Sequence, residues 1–381
     1  MKTKKQIQTQ QAYTSDTRYL THNYHPYPCK FVPQIPQSMI TKFSKQGDLV
    51  LDPFCGSGTT LAEASLLNRN GIGIDLNPVA VLSSKVKTTP LTSSNKKIIK
   101  NFLEKIDCKT STEFKKLVQK NFDESFVPDF DNLNHWFLPF VIKELASLKK
   151  LIFEIKNARS RNFLLLAFSN VIVPISKQDS ETRYVAVEKN TKQYQLFKIF
   201  SKKIKEMLER DAEYAKLRSK SKISVHHADS RKMNQVKDNS VNLILTSPPY
   251  LNTFDYYLYH KMRIVWLGFS PKTMRDSEMG CHHTSSKYAT GFPNYKNDLD
   301  AIFSEFSRVL SNDGKICLII GDAKVENHKI SALKLVEELA EKHKLKIEEI
   351  FSQELKKTTR SFNAKFSSSG KNEYMIVMSI L

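Results

Sequence analysis

The 381-residue chain has few of the features that mark secreted, zinc-binding or membrane proteins. Its five cysteines are scattered and form no C-x-x-C pair, so neither a zinc site nor a disulfide framework is predicted. The histidine pairs 226–227 and 282–283 join neighbours that would face opposite ways on a strand, so no shared metal is expected. No apolar run of about 18 residues occurs, and the basic start MKTKKQIQTQQ lacks the apolar stretch of a secretory signal. We therefore expect a cytoplasmic protein without a metal site or a membrane contact.

Acidic residues are scarce relative to basic ones. The chain has 39 Asp and Glu against 59 Lys and Arg, which gives a formal net charge of +20. Such an excess indicates a polyanionic partner, and nucleic acid is the commonest one. Because Lys far outnumbers Arg, a biased genome composition is an alternative explanation. The charge alone leaves both explanations open.

The segment DLVLDPFCGSGTTLAEASLLNRNGIGID predicts a β-loop-α-β unit. A short apolar strand at 49–51 precedes the turn at 52–60, and TTLAEASLLNR has helical periodicity. GIGID then reads as a second short strand. The brevity of both strands favours parallel strands buried on both faces.

The turn at 52–60 has glycines at positions 56 and 58. Each of the two strands ends in an acid, Asp52 and Asp75. Glycine permits positive φ and allows backbone N–H groups to approach a ligand, although no Gly-Lys-Ser/Thr follows as in a P-loop. Asp75, at the end of the second strand, can accept both ribose hydroxyls of a nucleoside. Asp52, at the end of the first, would repel a pyrophosphate and favour a cationic amino-acid group. The predicted ligand is therefore S-adenosyl-L-methionine and not a dinucleotide.

Strand-like segments resume at KISVHHADS, SVNLILTSPPY, GKICLIIGD and EYMIVMSIL, with helical patterns between them. The predicted fold class is α/β, a doubly wound Rossmann-like sheet with a mainly helical insertion. We divide the chain into an N-terminal arm (1–20), a first half of the sheet domain (21–84), a Lys-rich helical insertion (85–222) and a second half (223–381).

Two sequence stretches closely resemble bacterial DNA amino-methyltransferases, which methylate the exocyclic amine of cytosine or adenine, usually within restriction–modification systems. HPYPCKFVPQIPQSMI followed by GDLVLDPFCGSGTTLAEA and GIGIDLNP is similar to their cofactor-binding half. ADSRKM and DNSVNLILTSPPY are similar to their catalytic half. The motif order resembles the arrangement called alpha, in which the insertion holds the target-recognition region. The resemblance implies S-adenosyl-L-methionine as cofactor, double-stranded DNA as substrate, a cognate restriction endonuclease as a candidate partner, and a monomer or dimer.

The resemblance also implies a role for particular residues. At the methionine end of the cofactor and around the glycine turn it places Asp52, Pro53, Phe54, Cys55, Gly56, Gly58 and Thr59. Asp75 would hold the ribose hydroxyls, Phe31 would pack near the cofactor, and Asp229 and Ser230 would lie near its adenine. The catalytic segment comprises Ser247, Pro248, Pro249 and Tyr250, preceded by Thr246.

The chemistry of amine methylation explains why a TSPPY segment would be needed. An exocyclic amine is a weak nucleophile because its lone pair is delocalised into the ring, and two adjacent hydrogen-bond acceptors can counter this. Ser247 Oγ and the carbonyl of Pro248 can provide them, with the prolines fixing their spacing. Tyr250 offers an aromatic face to a flipped-out base. Serine at 247 is typical of cytosine-N4 enzymes, so we favour cytosine-N4 and keep adenine-N6 as the alternative.

Carbon-5 chemistry needs a nucleophilic cysteine, commonly in a Pro-Cys pair. Cys29 follows a proline, but it precedes the cofactor strand, and we expect it on the wrong side of the fold for the base. We interpret it as structural.

Residues 142–222 are predicted to contain the DNA contacts. SKQDSETRY at 176–184 reads as an irregular recognition loop or as a solvated connection. The aromatic-rich stretch 252–296 is a second candidate, and Arg360 and Lys365 are candidate phosphate contacts. Two further readings remain: an RNA base methyltransferase, and a DNA-binding subunit with a decayed methylase fold. Intact Asp52, Gly56, Asp75 and TSPPY argue against the second.

Overall fold

The computed structural model describes residues 5–6, 16–354 and 371–381. The strands in this part of the chain are β1 (Lys5–Gln6), β2 (Leu49–Asp52), β3 (Asn70–Asp75), β4 (Gln178–Ser180), β5 (Arg183–Ala186), β6 (Ile223–His227), β7 (Val241–Thr246), β8 (Leu310–Gly321), β9 (Ala323–Val325), β10 (His328–Ile330), β11 (Leu345–Glu354) and β12 (Asn372–Ile380). The α-helices are α1 (Gln34–Phe43), α2 (Thr59–Leu66), α3 (Pro78–Thr88), α4 (Ser93–Ile106), α5 (Ser111–Asn121), α6 (Leu133–Trp136), α7 (Pro139–Phe153), α8 (Ala158–Ile175), α9 (Gln195–Leu217), α10 (Tyr256–Tyr259), α11 (Lys261–Trp266), α12 (Pro271–Ser277), α13 (His282–Ser285), α14 (Tyr288–Val309) and α15 (Ala332–Lys342).

Eight strands form one sheet in the order β1-β11-β12-β8-β7-β2-β3-β6. Strands β6, β3, β2, β7 and β8 are parallel, and β12 runs antiparallel to both β8 and β11. From β2 the chain proceeds to β3 on one side, while β7 pairs with β2 on the other. The strand order therefore reverses at β2, and ligands of open α/β sheets bind at the carboxyl ends of the strands at such a point. This topology confirms the predicted doubly wound α/β class.

Local sequence explains how the first two strands lead into helices. Gly58 adopts φ +79° directly before α2, a left-handed conformation that glycine accepts without a steric penalty. Before α3, the side chain of Asn77 accepts a hydrogen bond from the N–H of Val79, and Pro78 occupies the first turn. Both helices are almost wholly buried, as expected when helices cover a parallel sheet.

Helices α4 to α9 follow between β3 and β6 and build a core of their own, in which Phe102, Leu148, Phe168 and Phe200 are fully or nearly fully buried. The predicted boundaries of the insertion, and its role in target recognition, stay a prediction. One expectation within it was wrong. Residues 178–186 are not an irregular loop, because β4 and β5 pair there as an antiparallel hairpin.

Two other expectations need comment. The sequence patterns missed β11, a half-buried strand that forms because β12 pairs along nearly all of it. Part of the predicted arm at 1–20 is packed: Lys5–Gln6 pairs with β11, and the hydroxyl of Tyr19 donates to Glu63 in α2 at 2.7 Å.

Arg360 and Lys365, the candidate phosphate contacts, lie outside the described residues. Among the helices of the described chain, none is both long enough and apolar enough to cross a membrane.

Candidate functional site

An open cavity lies at the carboxyl ends of β2, β3 and β7. The predicted site residues that line it are Phe31, Asp52, Phe54, Cys55, Gly56, Thr59, Asp75, Asp229, Ser230, Ser247 and Pro249. Five other predicted residues do not belong to its lining: Pro53, Gly58, Thr246, Pro248 and Tyr250.

Asp52 ends β2 and is 2% exposed. One carboxylate oxygen accepts hydrogen bonds from the Thr246 hydroxyl at 2.7 Å and from the Phe54 N–H at 3.2 Å. Burial raises the pKa of Asp52 to about 6 despite these bonds. A cationic ligand in the cavity would favour the ionised carboxylate. Thr246 does not line the cavity, but its hydroxyl fixes the Asp52 carboxylate and links the ends of β2 and β7.

Asp75 ends β3 beside the glycine turn. Its two oxygens accept the N–H groups of Gly56 and Asn77, each at 2.8 Å. The Gly56 N–H is therefore bound to Asp75 and does not point at a ligand. Each carboxylate oxygen has a further lone pair with which to accept a ligand hydroxyl. Burial raises the pKa of this carboxyl too, to about 6.

Close packing fixes the glycine turn. A Cβ at Gly56 would lie 3.3 Å from the ring of Tyr27, and one at Gly58 would lie 2.7 Å from the Ser84 hydroxyl. Both glycines have positive φ. The two positions therefore require glycine for backbone conformation and for space, and Gly58 acts through the turn without lining the cavity.

The side chains of Asp229 and Ser230, just after β6, form hydrogen bonds within the protein that the sequence did not predict. Asp229 accepts several hydrogen bonds from the guanidinium of Arg231, which also contacts Asp298 at 2.9 Å. The hydroxyl of Ser230 donates to the carbonyl of Pro53. Both Asp229 and Ser230 line the cavity, but these side chains also hold the segment in place.

The TSPPY segment follows β7 directly. The Ser247 hydroxyl faces the Tyr250 hydroxyl at 3.4 Å, and the Tyr250 hydroxyl donates to Glu373 on β12 at 2.8 Å. The hydroxyl of Tyr295 donates to the carbonyl of Pro249 at 2.9 Å. Within residues 16–354 and 371–381, no hydrogen-bond donor reaches the carbonyl of Pro248. Side chains far along the chain therefore brace this segment.

Two cavity residues, Tyr27 and Glu278, were not among the predicted site residues. Tyr27 stacks on His260 with ring centroids 4.7 Å apart. Tyr256, which belongs to the candidate stretch 252–296, lines the cavity near Tyr27. Glu278 accepts the N–H groups of Tyr256 and Tyr257 at 2.7 and 2.8 Å. Burial raises the pKa of this carboxyl to about 8. Tyr27 lay inside the HPYPCK signature, whereas nothing in the sequence around Glu278 marked it.

The expected position of Cys29 was wrong. It lines the same cavity as Ser247, although it precedes the cofactor strand in sequence. Cys29 is an exposed residue, but desolvation of its thiol by the surrounding protein raises the pKa to about 11 and disfavours the nucleophilic thiolate.

The cavity fits S-adenosyl-L-methionine. The cofactor carries an ammonium group, which the buried carboxylate of Asp52 would complement, and a ribose diol, for which Asp75 has free lone pairs. Phe31 and Phe54 add apolar surface to the lining. The sheet order and this cavity define the fold class of the S-adenosyl-L-methionine-dependent methyltransferases.

Comparison with known proteins gives a narrower assignment. Residues 2–85 match a family model, N6/N4 methyltransferase, described as DNA methylase. The Type II methyltransferase M.MvaI of Kocuria varians is 27% identical over 269 residues, which is 66% of this chain and 59% of that relative. The Type II methyltransferase M.MjaII of Methanocaldococcus jannaschii is 24% identical over 389 residues, covering 80% of this chain and 72% of the relative. A short stretch of 32 residues is 72% identical to the Type II methyltransferase M.EcaI of Enterobacter cloacae, 8% of this chain and 7% of the relative.

The N-terminal part of the chain is therefore similar to DNA methylases, and most of the chain is similar to Type II methyltransferases. The chain spans about three fifths of the length of M.MvaI.

Proposed function

We propose that this protein is a DNA methyltransferase that transfers a methyl group from S-adenosyl-L-methionine to the exocyclic N4 amine of cytosine in a flipped-out base. The single observation that carries the proposal is the direct connection of Ser247 to the cofactor cavity. Ser247 lines the cavity that contains Asp52 and Asp75, and the preceding residue, Thr246, donates its hydroxyl to Asp52. An amine held at Ser247 would therefore lie beside the cofactor.

The cofactor supplies an electrophilic methyl group on a sulfonium. Asp52 would hold the ammonium of its methionine part, and that ion pair would keep the carboxylate ionised in spite of its burial. Asp75 would accept the ribose hydroxyls while retaining the N–H groups of Gly56 and Asn77. These contacts would orient the ligand before the base arrives, which lowers the entropic part of the barrier.

Ser247 can accept a hydrogen bond from the target amine only if its own proton points elsewhere. The Tyr250 hydroxyl donates to the carboxylate of Glu373, and its oxygen is then available to accept the Ser247 proton at 3.4 Å. This leaves the lone pairs of Ser247 Oγ directed at the substrate. The carbonyl of Pro248, which takes no hydrogen bond from the described residues, is the second acceptor.

Two acceptors on one amine pull its nitrogen toward tetrahedral geometry and restore its lone pair as a nucleophile. The methyl group would pass directly to the nitrogen as its C–S bond breaks, leaving a neutral thioether, and one amine proton would leave to solvent. Tyr250 remains the predicted stacking partner of the flipped base. The ring of Tyr256 contributes a second aromatic surface on the cavity wall.

The preference for cytosine rests on serine at position 247. In the resemblance given above, serine is typical of cytosine-N4 enzymes, whereas an Asp or Asn is typical of adenine enzymes. Adenine-N6 methylation would use the same cavity and the same two acceptors. It is the runner-up.

The deciding experiment incubates the protein with mixed-sequence duplex DNA and S-adenosyl-L-methionine and identifies the nucleosides by mass spectrometry. We expect N4-methyldeoxycytidine, lost in Ser247→Ala and retained in Ser94→Ala, an exposed serine outside the cavity. N6-methyldeoxyadenosine would keep the mechanism and overturn the choice of base. Methylation of structured RNA in place of DNA would overturn the substrate class.

A further inference from the structure

The hairpin of β4 and β5 is fastened to the segment that follows TSPPY. Its turn residue Glu181 makes a bidentate ion pair with Arg263 in α11, with distances of 2.6 and 2.7 Å. The Arg263 side chain is fully buried, and its Nε also donates to the carbonyl of Ser169 in α8 at 2.9 Å. A buried guanidinium with one carboxylate partner is costly to separate from it, so the hairpin turn has a fixed position.

Aromatic packing places the hairpin beside the residues that line the cavity. The ring of Tyr184 in β5 packs on Trp136 with centroids 4.3 Å apart. The ammonium of Lys261 lies 5.6 Å from the Tyr184 centroid and 5.1 Å from that of Phe130. Lys261 begins α11, two residues after α10, whose first residue Tyr256 lines the cavity. The hairpin therefore adjoins the predicted position of the flipped base.

The β4–β5 hairpin and the start of α11 carry cations that nearby carboxylates neutralise only weakly. Arg183 is 66% exposed, and its one ion pair, with Asp179, is long at 3.5 Å. Lys261 is half-buried; burial and the nearby Arg275 lower its pKa, and Asp131 opposes that shift. Val185 on the same hairpin is 46% exposed. An exposed cation, Arg183, and a half-buried one, Lys261, interleaved with aromatic rings are suited to a nucleic-acid backbone and its bases.

We propose that the β4–β5 hairpin is a DNA-contacting ribbon that lies against the duplex next to the flipped base, with Arg183 and Lys261 as its cationic contacts. A two-stranded ribbon fits the major groove, and the net charge of +20 is complementary to DNA. The Arg263–Glu181 pair is a positioning pair that sets the distance from the ribbon to the cavity. The proposal rests on the proposed function, because it assumes a duplex DNA substrate.

The test compares Arg183→Gln/Lys261→Gln with Lys45→Gln/Lys237→Gln, a pair of exposed lysines outside the predicted DNA-contacting segments. These controls precede β2 and β7, at the amino ends of strands whose carboxyl ends carry the cavity. The measurements are KM for duplex DNA, kcat, DNA affinity as a function of salt, and S-adenosyl-L-methionine affinity by calorimetry. The single variant Arg183→Gln, at an exposed position, guards against misfolding of the double variant.

We expect the hairpin variant to bind DNA about 10- to 100-fold more weakly and to lose about 2 units of salt slope, near one per phosphate contact. Its kcat and cofactor affinity should be unchanged, and Arg183→Lys should restore the salt slope of the single variant. If the hairpin variant equals the control while the wild type methylates DNA, the ribbon is refuted and the proposed function stands. If the wild type binds the cofactor but methylates no DNA, the proposed function fails, and the ribbon fails with it.

Discussion

Replacing Gly58 by alanine would test how the glycine turn holds the cofactor cavity together. Gly58 has φ +79°, and a Cβ added to it would lie 2.7 Å from the Ser84 hydroxyl and 2.9 Å from the Ser84 Cα. Ser84 belongs to α3, and its hydroxyl donates to the carbonyl of Gly56 at 2.8 Å. Alanine would thus push on backbone as well as on a side chain. The turn and α3 would have to separate.

Two costs add up. A left-handed backbone costs a residue with a Cβ about 1–2 kcal/mol. Overpacking a tight contact costs about 1–3 kcal/mol more, because backbone must move. We therefore expect Gly58→Ala to lower the free energy of unfolding by about 2–5 kcal/mol and to weaken S-adenosyl-L-methionine binding.

The matched control is Gly47→Ala. Gly47 also has positive φ, +88°, but a Cβ there would meet nothing within 4 Å. Only the backbone cost of about 1–2 kcal/mol applies to it. Urea unfolding followed by circular dichroism would measure both variants, and calorimetry would measure cofactor affinity. Equal destabilisation of the two variants would refute the argument that the turn is packed against α3.

Three further results are expected. Burial raises the pKa of Asp52 to about 6, so cofactor affinity should increase as the pH rises through about 6, with proton release on binding. Calorimetry in buffers of different ionisation enthalpy measures this release, and Asp52→Asn should reduce it, leaving the share of Asp75, whose pKa is also raised to about 6. Tyr250→Phe removes the hydroxyl between Ser247 and Glu373, and the loss of a hydrogen bond to a charged group should lower kcat about 10- to 100-fold in a methylation assay, without changing cofactor affinity. The pKa of Glu278 is raised to about 8 in the folded protein, against about 4.3 in the unfolded chain. Its protonated form therefore contributes fully to stability below about pH 4.3, and that contribution is lost as the pH rises through about 8. Glu278→Gln should therefore flatten the decline of the urea midpoint between about pH 5 and 9.

The Asp52 and Glu278 variants have exposed controls of the same residue type, Asp313→Asn and Glu104→Gln. Unchanged proton release in Asp52→Asn would assign the proton to another group. A Tyr250→Phe defect confined to KM for DNA would point to base stacking instead of orientation of Ser247. Parallel pH profiles for the wild type and Glu278→Gln would show that this carboxyl does not ionise in that range.

The sequence was sufficient for the part of the fold that depends on local signals. The turn at 52–60 lies between two short apolar strands, and it was predicted correctly because glycines, caps and strand-ending acids lie within 30 residues of one another. β11 was missed because its residues alternate irregularly between charged and apolar, and its strand character comes from pairing with β12. The β4–β5 hairpin was missed for a similar reason. Its polar sequence reads as a loop, and the ion pair to Arg263 that holds its turn joins residues 82 positions apart.

The position of Cys29 shows where sequence order misleads. The HPYPCK segment precedes β2, yet it crosses the carboxyl edge of the sheet because three later elements hold it. The hydroxyl of Tyr24 donates to the Met207 carbonyl in α9, His25 bonds to Ser169 in α8, and Tyr27 stacks on His260. None of these contacts is visible as a spacing in the sequence.

The same reasoning applies to the proposed catalytic segment. In the proposed mechanism TSPPY provides two acceptors whose spacing the prolines fix, but the sequence does not indicate where the Ser247 proton points. That depends on Tyr250 and on Glu373, which lies 123 residues beyond Tyr250 and reaches it only because β12 inserts between β8 and β11. A serine can act as an acceptor only when another group takes its proton. The chemistry proposed for the segment after β7 therefore depends on the last strand of the sheet, and a change at Glu373 should weaken catalysis even though it lies outside both sequence signatures.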